Sequence, residues 1–262
     1  MENLSLYLAL GAFAGTIAGL LGVGGGLIIV PVLAFIFTRQ GVAPAVLMHL
    51  AVGTSLATIV FTAISSVRAH HRRGAVQWRL FAQLVPGIVI GAGFGALVAD
   101  ALPSDTLRTV FGVFELLVAA QLGFALLPEA HRGLPGRFGM GLAGTVIGGV
   151  SAVIGIGGGS LTVPFLVWCS VRMQQAVATS AACGLPIALA GALSFVAVGW
   201  HTPGLPVWSS GFLYWPALAG IVATSMLFAP LGARLAHRLP AATLKRFFAL
   251  FLAGLGVHML FG

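Results

Sequence analysis

The sequence predicts an all-α integral membrane protein made of two homologous halves, and three observations carry that prediction. The 262 residues are 59% hydrophobic and 7% charged, with a mean hydropathy of +1.07, far from the roughly 25% charge of globular domains. The apolar runs are long enough for spans of about 20 residues and lack the alternation of a membrane barrel strand. A glycine-rich block then occurs twice: Gly15, Gly22, Gly24 to Gly26 and Pro31 return at a shift of 133 as Gly148, Gly155, Gly157 to Gly159 and Pro164. Breaks at corresponding places in two hydrophobic halves point to a binding site between repeats of a secondary transporter.

Eight apolar stretches are read, roughly at 4 to 37, 42 to 67, 79 to 99, 106 to 127, 138 to 170, 174 to 199, 210 to 233 and 243 to 261. The first and fifth carry the glycine blocks and are too long for one span. Four stretches fall in each half, giving a first membrane repeat over 1–130 and a second over 131–262. Ala51 to Ser55 matches Ala176 to Ser180 at a shift of 125, and Leu102 to Leu107 matches Leu239 to Leu244 at a shift of 137. Between these, Pro86 matches Pro216, and Trp78 and Trp208 take equivalent places as interface anchors, both at a shift of 130. No connecting segment has room for a soluble domain. Met1-Glu2-Asn3 lacks the basic start of a signal peptide, so the N-terminus reads as mature chain.

A net charge of +8 would suggest nucleic acid in a soluble protein, but the arginines stand at the ends of apolar stretches. They read as topology, with the lipid bilayer as partner and no nucleic acid. If all eight stretches crossed once, the Lys and Arg residues would divide 7 against 6 between the two sides. If the glycine-broken stretch of each half returns to its own side, the division becomes 11 against 2, with Arg39 and Arg108 as the minority. Each half then crosses an odd number of times and the repeats are inverted. The basic loops 68–79 and 234–246 face the cytoplasm of the inner (plasma) membrane, and both termini lie outside. A non-crossing second stretch scores equally; the glycine stretch is favoured because irregular backbone at membrane depth needs residues that tolerate it.

The glycine blocks are not nucleotide loops, for no strand precedes them and no Lys-Ser/Thr follows. Scattered pairs such as Gly91 and Gly95 read as close helix packing. Three consecutive glycines are different, since each costs a helix about 1 kcal/mol relative to alanine. The break starts a new half-helix near Leu27 and near Ser160, whose unpaired N–H groups and dipole suit an anion. Ser160 and Thr162 face Leu27 and Ile29 across the duplication, so the site is asymmetric. Thr54-Ser55 and Thr179-Ser180 place hydroxyls in apolar runs, either bonded to their own helix carbonyls or touching substrate.

Glu115 stands mid-stretch, where an ionisable group costs roughly 2.5 kcal/mol or more. It is either a proton-coupling group or a structural carboxyl, and its counterpart is Leu252. His49, opposite Gln174, reads as a packing histidine before a relay. Cys169 and Cys183 have no metal-ligand spacing around them and read as small buried side chains. No Ser-His-Asp set, carboxylate pair or ligand cluster appears, so no enzyme chemistry, catalytic residue, metal or cofactor is expected.

The two Gly-x-Gly-Gly-Gly blocks, each followed by an apolar run and Pro31 or Pro164, and the two Thr-Ser pairs resemble the TauE/SafE family of sulfite and organosulfur-anion exporters over nearly the whole chain. The resemblance implies an inner-membrane permease whose substrate site draws on Gly24, Gly25, Gly26, Pro31, Thr54 and Ser55, then Gly157, Gly158, Gly159, Pro164, Thr179 and Ser180, to which the helix start adds the Ser160 hydroxyl. The expected function is a secondary transporter of a small anion, sulfite or an organosulfur or organic anion, by alternating access as the halves rock about a midplane site. A passive anion channel and a non-transporting assembly protein are the alternatives. A homo-oligomer is left open.

Overall fold

The computed structural model describes residues 2–21, 25–124, 133–236 and 241–262. The first apolar stretch divides into α1 (Glu2–Leu21) and α2 (Gly26–Arg39), and the fifth into α6 (Arg137–Ile154) and α7 (Gly159–Trp168). The others are single helices: α3 (Pro44–Arg72), α4 (Trp78–Ala101), α5 (Ser104–Gly123), α8 (Met173–Val198), α9 (Trp215–Ala236) and α10 (Ala241–Phe261). α3, α4, α5, α6 and α8 are long and apolar enough to cross a membrane. The fold is an all-α, multi-pass membrane architecture.

The glycine-broken stretch is the one that returns. Gly25 sits beside Ala18, and at the open end the Tyr7 hydroxyl donates to Gln40 Oε1 at 3.0 Å, so α1 and α2 form a hairpin. The 14 residues of α2 rise about 21 Å and the 10 of α7 about 15 Å, both short of a hydrocarbon core of about 30 Å. The second stretch is instead the continuous α3, opened by Pro44 in its first turn, where a missing N–H costs nothing.

Two glycine seams bind the halves to each other. α1 lies along α9 with Gly11 against Ile221 and Gly15 against Ser225; α6 lies along α4 with Gly144 against Leu84 and Gly148 against Ile88. Small residues allow such approach: a Cβ on Gly15 would stand 2.6 Å from Ser225 Cα. Gly91 and Gly95 rest on the carbonyls of Thr145 and Gly149, the packing role expected of them. α3 and α8 cross antiparallel, Gly53 meeting Phe195, Leu56 meeting Gly191, and Val67 joining the cluster of Ala178 and Ala182. α5 and α10 are also antiparallel, with Gly112 on Leu260 and Gly123 on Ala249.

These pairings correct the sequence correspondence before α4 and α9. Thr54 Oγ1 accepts the Tyr214 N–H and Thr179 Oγ1 accepts the Gln77 N–H, each at 3.0 Å. Gln77 and Tyr214 are therefore equivalent, which pairs Trp78 with Trp215 rather than Trp208 and Pro86 with Ala223 rather than Pro216. The cause is the longer connection ahead of α9. It houses a short hairpin, β1 (Ser209–Ser210) and β2 (Leu213–Tyr214), turned at Gly211 with φ +55°, where the sequence alone suggests part of an apolar stretch.

Helix directions sort the basic residues. Arg68, Arg72 and Arg73 at the end of α3, Arg79 and Arg137 at the starts of α4 and α6, and Arg172 and Arg246 at the starts of α8 and α10 share one end of the bundle. Arg39 and Arg108 lie at the other, with Asp100, Asp105, the first turn of α1 and the last of α10. Arg132 and Arg238 lie outside the described residues.

Candidate functional site

The two hairpins meet tip to tip where α3 crosses α8. A Cβ on Gly26 would stand 2.6 Å from the Gly155 carbonyl oxygen and 3.0 Å from Ile156 Cα. Ser55 Oγ donates to that same Gly155 oxygen at 2.9 Å, and Ile59 packs against both Gly26 and Gly157. α6 ends because Gly155, at φ +80°, turns the chain left-handed while its N–H and that of Ile156 both bond the Ser151 carbonyl.

Each half-helix then starts from a glycine in the left-handed region, Gly25 at φ +76° and Gly158 at φ +73°, with no side-chain cap. The first bonds inside α2 come from Ile28 and Ile29 to the Gly25 carbonyl, and inside α7 from Leu161 and Thr162 to that of Gly158. The N–H groups of Gly26, Leu27, Gly159 and Ser160 precede them, the donors that a helix start leaves to a partner. Pro31 and Pro164 lack the N–H that would bond the Leu27 and Ser160 carbonyls, so each break also frees an acceptor. Gly24 lies outside the described residues.

The surroundings of the two starts differ. Next to Gly25 stand Ala18 Cβ, 3.6 Å, and Ile29 Cδ1, 3.5 Å, from the place of a Cβ; next to Gly158 stand Ser151 Oγ and Thr162 Oγ1, both at 3.4 Å, with Ile187 closer still. Ser151 and Thr162 come from the two arms of one hairpin, are fully buried, and have hydroxyls without a hydrogen-bond partner. Ser180, 2% exposed, is unpartnered too. Buried polar groups are normally satisfied, and the Ser151 and Thr162 hydroxyls, both beside Gly158, are left with unused hydrogen-bonding capacity. Ser151 is not among the residues that the sequence singles out. The shift of 133 that pairs Thr162 with Ile29 also pairs Ser151 with Ala18, and reading that register at every polar position would have found it.

Three of the four hydroxyls of the Thr-Ser pairs take a third course, bonding neither to their own helices nor to an open site. Thr54 and Thr179 fasten the segments that lead into α9 and α4, and Ser55 ties α3 to the opposite hairpin. His49 is buried, its Nε2–H donating to the Ala99 carbonyl at 3.0 Å and its ring stacked on Phe212, while its Nδ1 has no partner. Glu115 is fully buried on α5 and neither carboxyl oxygen has a partner. Cys169 and Cys183 are free and buried.

Comparison with known proteins follows the same lines. Residues 7–259 match the family described as sulfite exporter TauE/SafE. A probable membrane transporter protein of Haemophilus influenzae is 37% identical over 97% of both chains. The probable membrane transporter protein YunE of Bacillus subtilis is 32% identical over 67% of this chain and 71% of its own. MJ0441 of Methanocaldococcus jannaschii, also a probable membrane transporter protein, is 26% identical over 98% and 95%. No solved structure gives a significant match.

Proposed function

As a member of the TauE/SafE family the chain is a membrane transporter and not an enzyme, and we propose that it carries a small oxyanion or organosulfur anion by alternating access at the hairpin tips. The observation that carries this reading is the pair of buried, partnerless hydroxyls of Ser151 and Thr162 beside the α7 N-terminus. Helix starts offer N–H groups and positive potential to anions, and hydroxyl donors complete the shell of an oxyanion without a permanent countercharge that would hold it too tightly to release. Gly157 to Ser160, Pro164 and Ser180 form the anion side. Gly25, Gly26 and Pro31, with Gly24 expected beside them, form its apolar counterpart; Ser55 ties α3 to the Gly155 tip, and Thr54 and Thr179 fasten the segments that lead into α9 and α4.

The antiparallel α3–α8 and α5–α10 pairs and the exchanged seams support inverted repeats. The moving bodies would be mixed, because α1 is seamed to α9 and α6 to α4. The shared end of the basic residues supports a cytoplasmic face there in the inner membrane, with both termini outside. Cysteines placed in the loops 68–79 and 234–246 should resist labelling from outside in intact cells; reaction at either one contradicts that orientation.

The test of function is flux into liposomes holding the purified protein, with sulfite, thiosulfate, sulfonates and carboxylates compared. Saturable uptake with counter-flow supports a carrier. Unsaturable flux with single-channel current makes it a channel, and no flux of any anion leaves an assembly protein.

A further inference from the structure

We propose that Glu115 is a proton-carrying site, so that a proton travels through the protein together with the anion. The inference rests on the transporter reading but not on the identity of the anion. Glu115 is buried, whereas Asp100 and Asp105 are exposed, and its two oxygens have no partner. The other half supplies the control. At the equivalent place stands Leu252, likewise 0% exposed and part of the apolar core. The fold at this position is completed by leucine and does not require a carboxyl group.

Depth places Glu115 beside the transport step. α3 and α5 run in the same direction, with α4 folded back between them, and share the bond from the Met48 N–H to Ser104 Oγ at 3.0 Å. Eleven residues further along, about 16 Å of rise, α3 reaches Ile59 and α5 reaches Glu115. Ile59 is the residue that touches Gly26 and Gly157, so the carboxyl group lies level with the hairpin tips. Phe111 and Val118 of the same helix share one buried cluster with Leu27 and Leu33 of α2.

No second titratable group faces Glu115 at that depth among the described residues. α10, with Gly256 against Leu116, presents Leu252 to Val257 there, and α3 presents Leu56 to Thr62. His49 and the basic residues of α3, Arg246 of α10 and Arg137 of α6 stand toward the ends of their helices, and His258, within about a turn of Glu115 in depth because Gly112 meets both Gly256 and Leu260, is exposed and turned onto Phe35. A carboxylate and an anion at one depth in a low-dielectric interior repel each other, whereas the neutral acid does not. Anion and proton therefore favour each other's binding by the same factor. The carboxylate takes a proton from the water on the side where the anion enters, and the acid returns it on the side where the anion leaves.

The test uses the purified full chain in liposomes loaded with a pH-sensitive dye, with methanesulfonate and thiosulfate as probes because their charges do not change near neutral pH. An acidic exterior should drive accumulation of a transported probe by the wild type and acidify the lumen. Glu115→Gln should still bind and exchange the probe but lose gradient-driven accumulation by about tenfold or more, within the usual span of coupling factors, and Glu115→Asp should restore part of it. Glu115→Leu, which copies the Leu252 of the other half, should behave as Glu115→Gln does. Wild-type uptake indifferent to the gradient, or full accumulation by Glu115→Gln, overturns the proposal. So does failure of both neutral variants to fold, which makes the carboxyl structural. A wild type that moves neither probe under any gradient counts first against transport of these anions, an outcome visible before any variant is compared.

Discussion

The hairpins α1–α2 and α6–α7 share a backbone and differ in chemistry. Both turn on a left-handed glycine, both restart as a short helix with an internal proline, and both are seamed to a helix of the opposite half. Around Gly25 the neighbours are Ala18 and Ile29; around Gly158 they are Ser151, Thr162 and Ile187. Duplication thus fixed the scaffold twice and the polar groups once, which separates residues that make the fold from residues of the proposed anion site.

The sharpest way to break that comparison is at the glycines. Gly158→Ala combines a left-handed backbone with a Cβ driven into Ile187, and should cost on the order of 2–5 kcal/mol and abolish flux. Gly25→Ala has room for its Cβ, so only the backbone term of about 1–2 kcal/mol remains; equal losses in thermal unfolding would contradict the difference described. Next in size is the double change Ser151→Ala with Thr162→Val, which should weaken anion binding in calorimetry by roughly tenfold or more, since hydrogen bonds to charged groups contribute about 1.5–3 kcal/mol. Ala18→Ser with Ile29→Thr should not restore it.

Smaller effects test the fastenings. Ser55→Ala unties α3 from the Gly155 carbonyl and should lower stability by about 1 kcal/mol, read as a drop in Tm. The least difference is expected between Thr54→Val and Thr179→Val. Each leaves one backbone N–H unpaired, and their losses should agree within about 0.5 kcal/mol. A clear gap between them would mean that one threonine does more than hold a loop.

Much of this was legible in the sequence. The glycine blocks gave the duplication and the returning stretch, because backbone freedom is written in residue type, and the arginine count separated the two ends of the bundle because charge stays at membrane boundaries. Equivalence failed between Trp78 and Trp208, where matching residues were aligned across an insertion that only the β1–β2 turn reveals. Ser151 escaped because one serine in an apolar helix looks ordinary until its hydroxyl is found buried without a partner. The partners of Thr54 and Thr179 were equally hidden, since they come from loops distant in sequence.

The seam between α1 and α9 also sets a timetable. Gly11 and Gly15 are made near the start of the chain, but the Ile221 and Ser225 backbones that cover them arrive only near its end. At a synthesis rate of about 5–20 residues per second, α1 waits on the order of 10–40 s beside lipid or a chaperone before its glycine face is closed. The first half cannot finish folding until most of the second has been made.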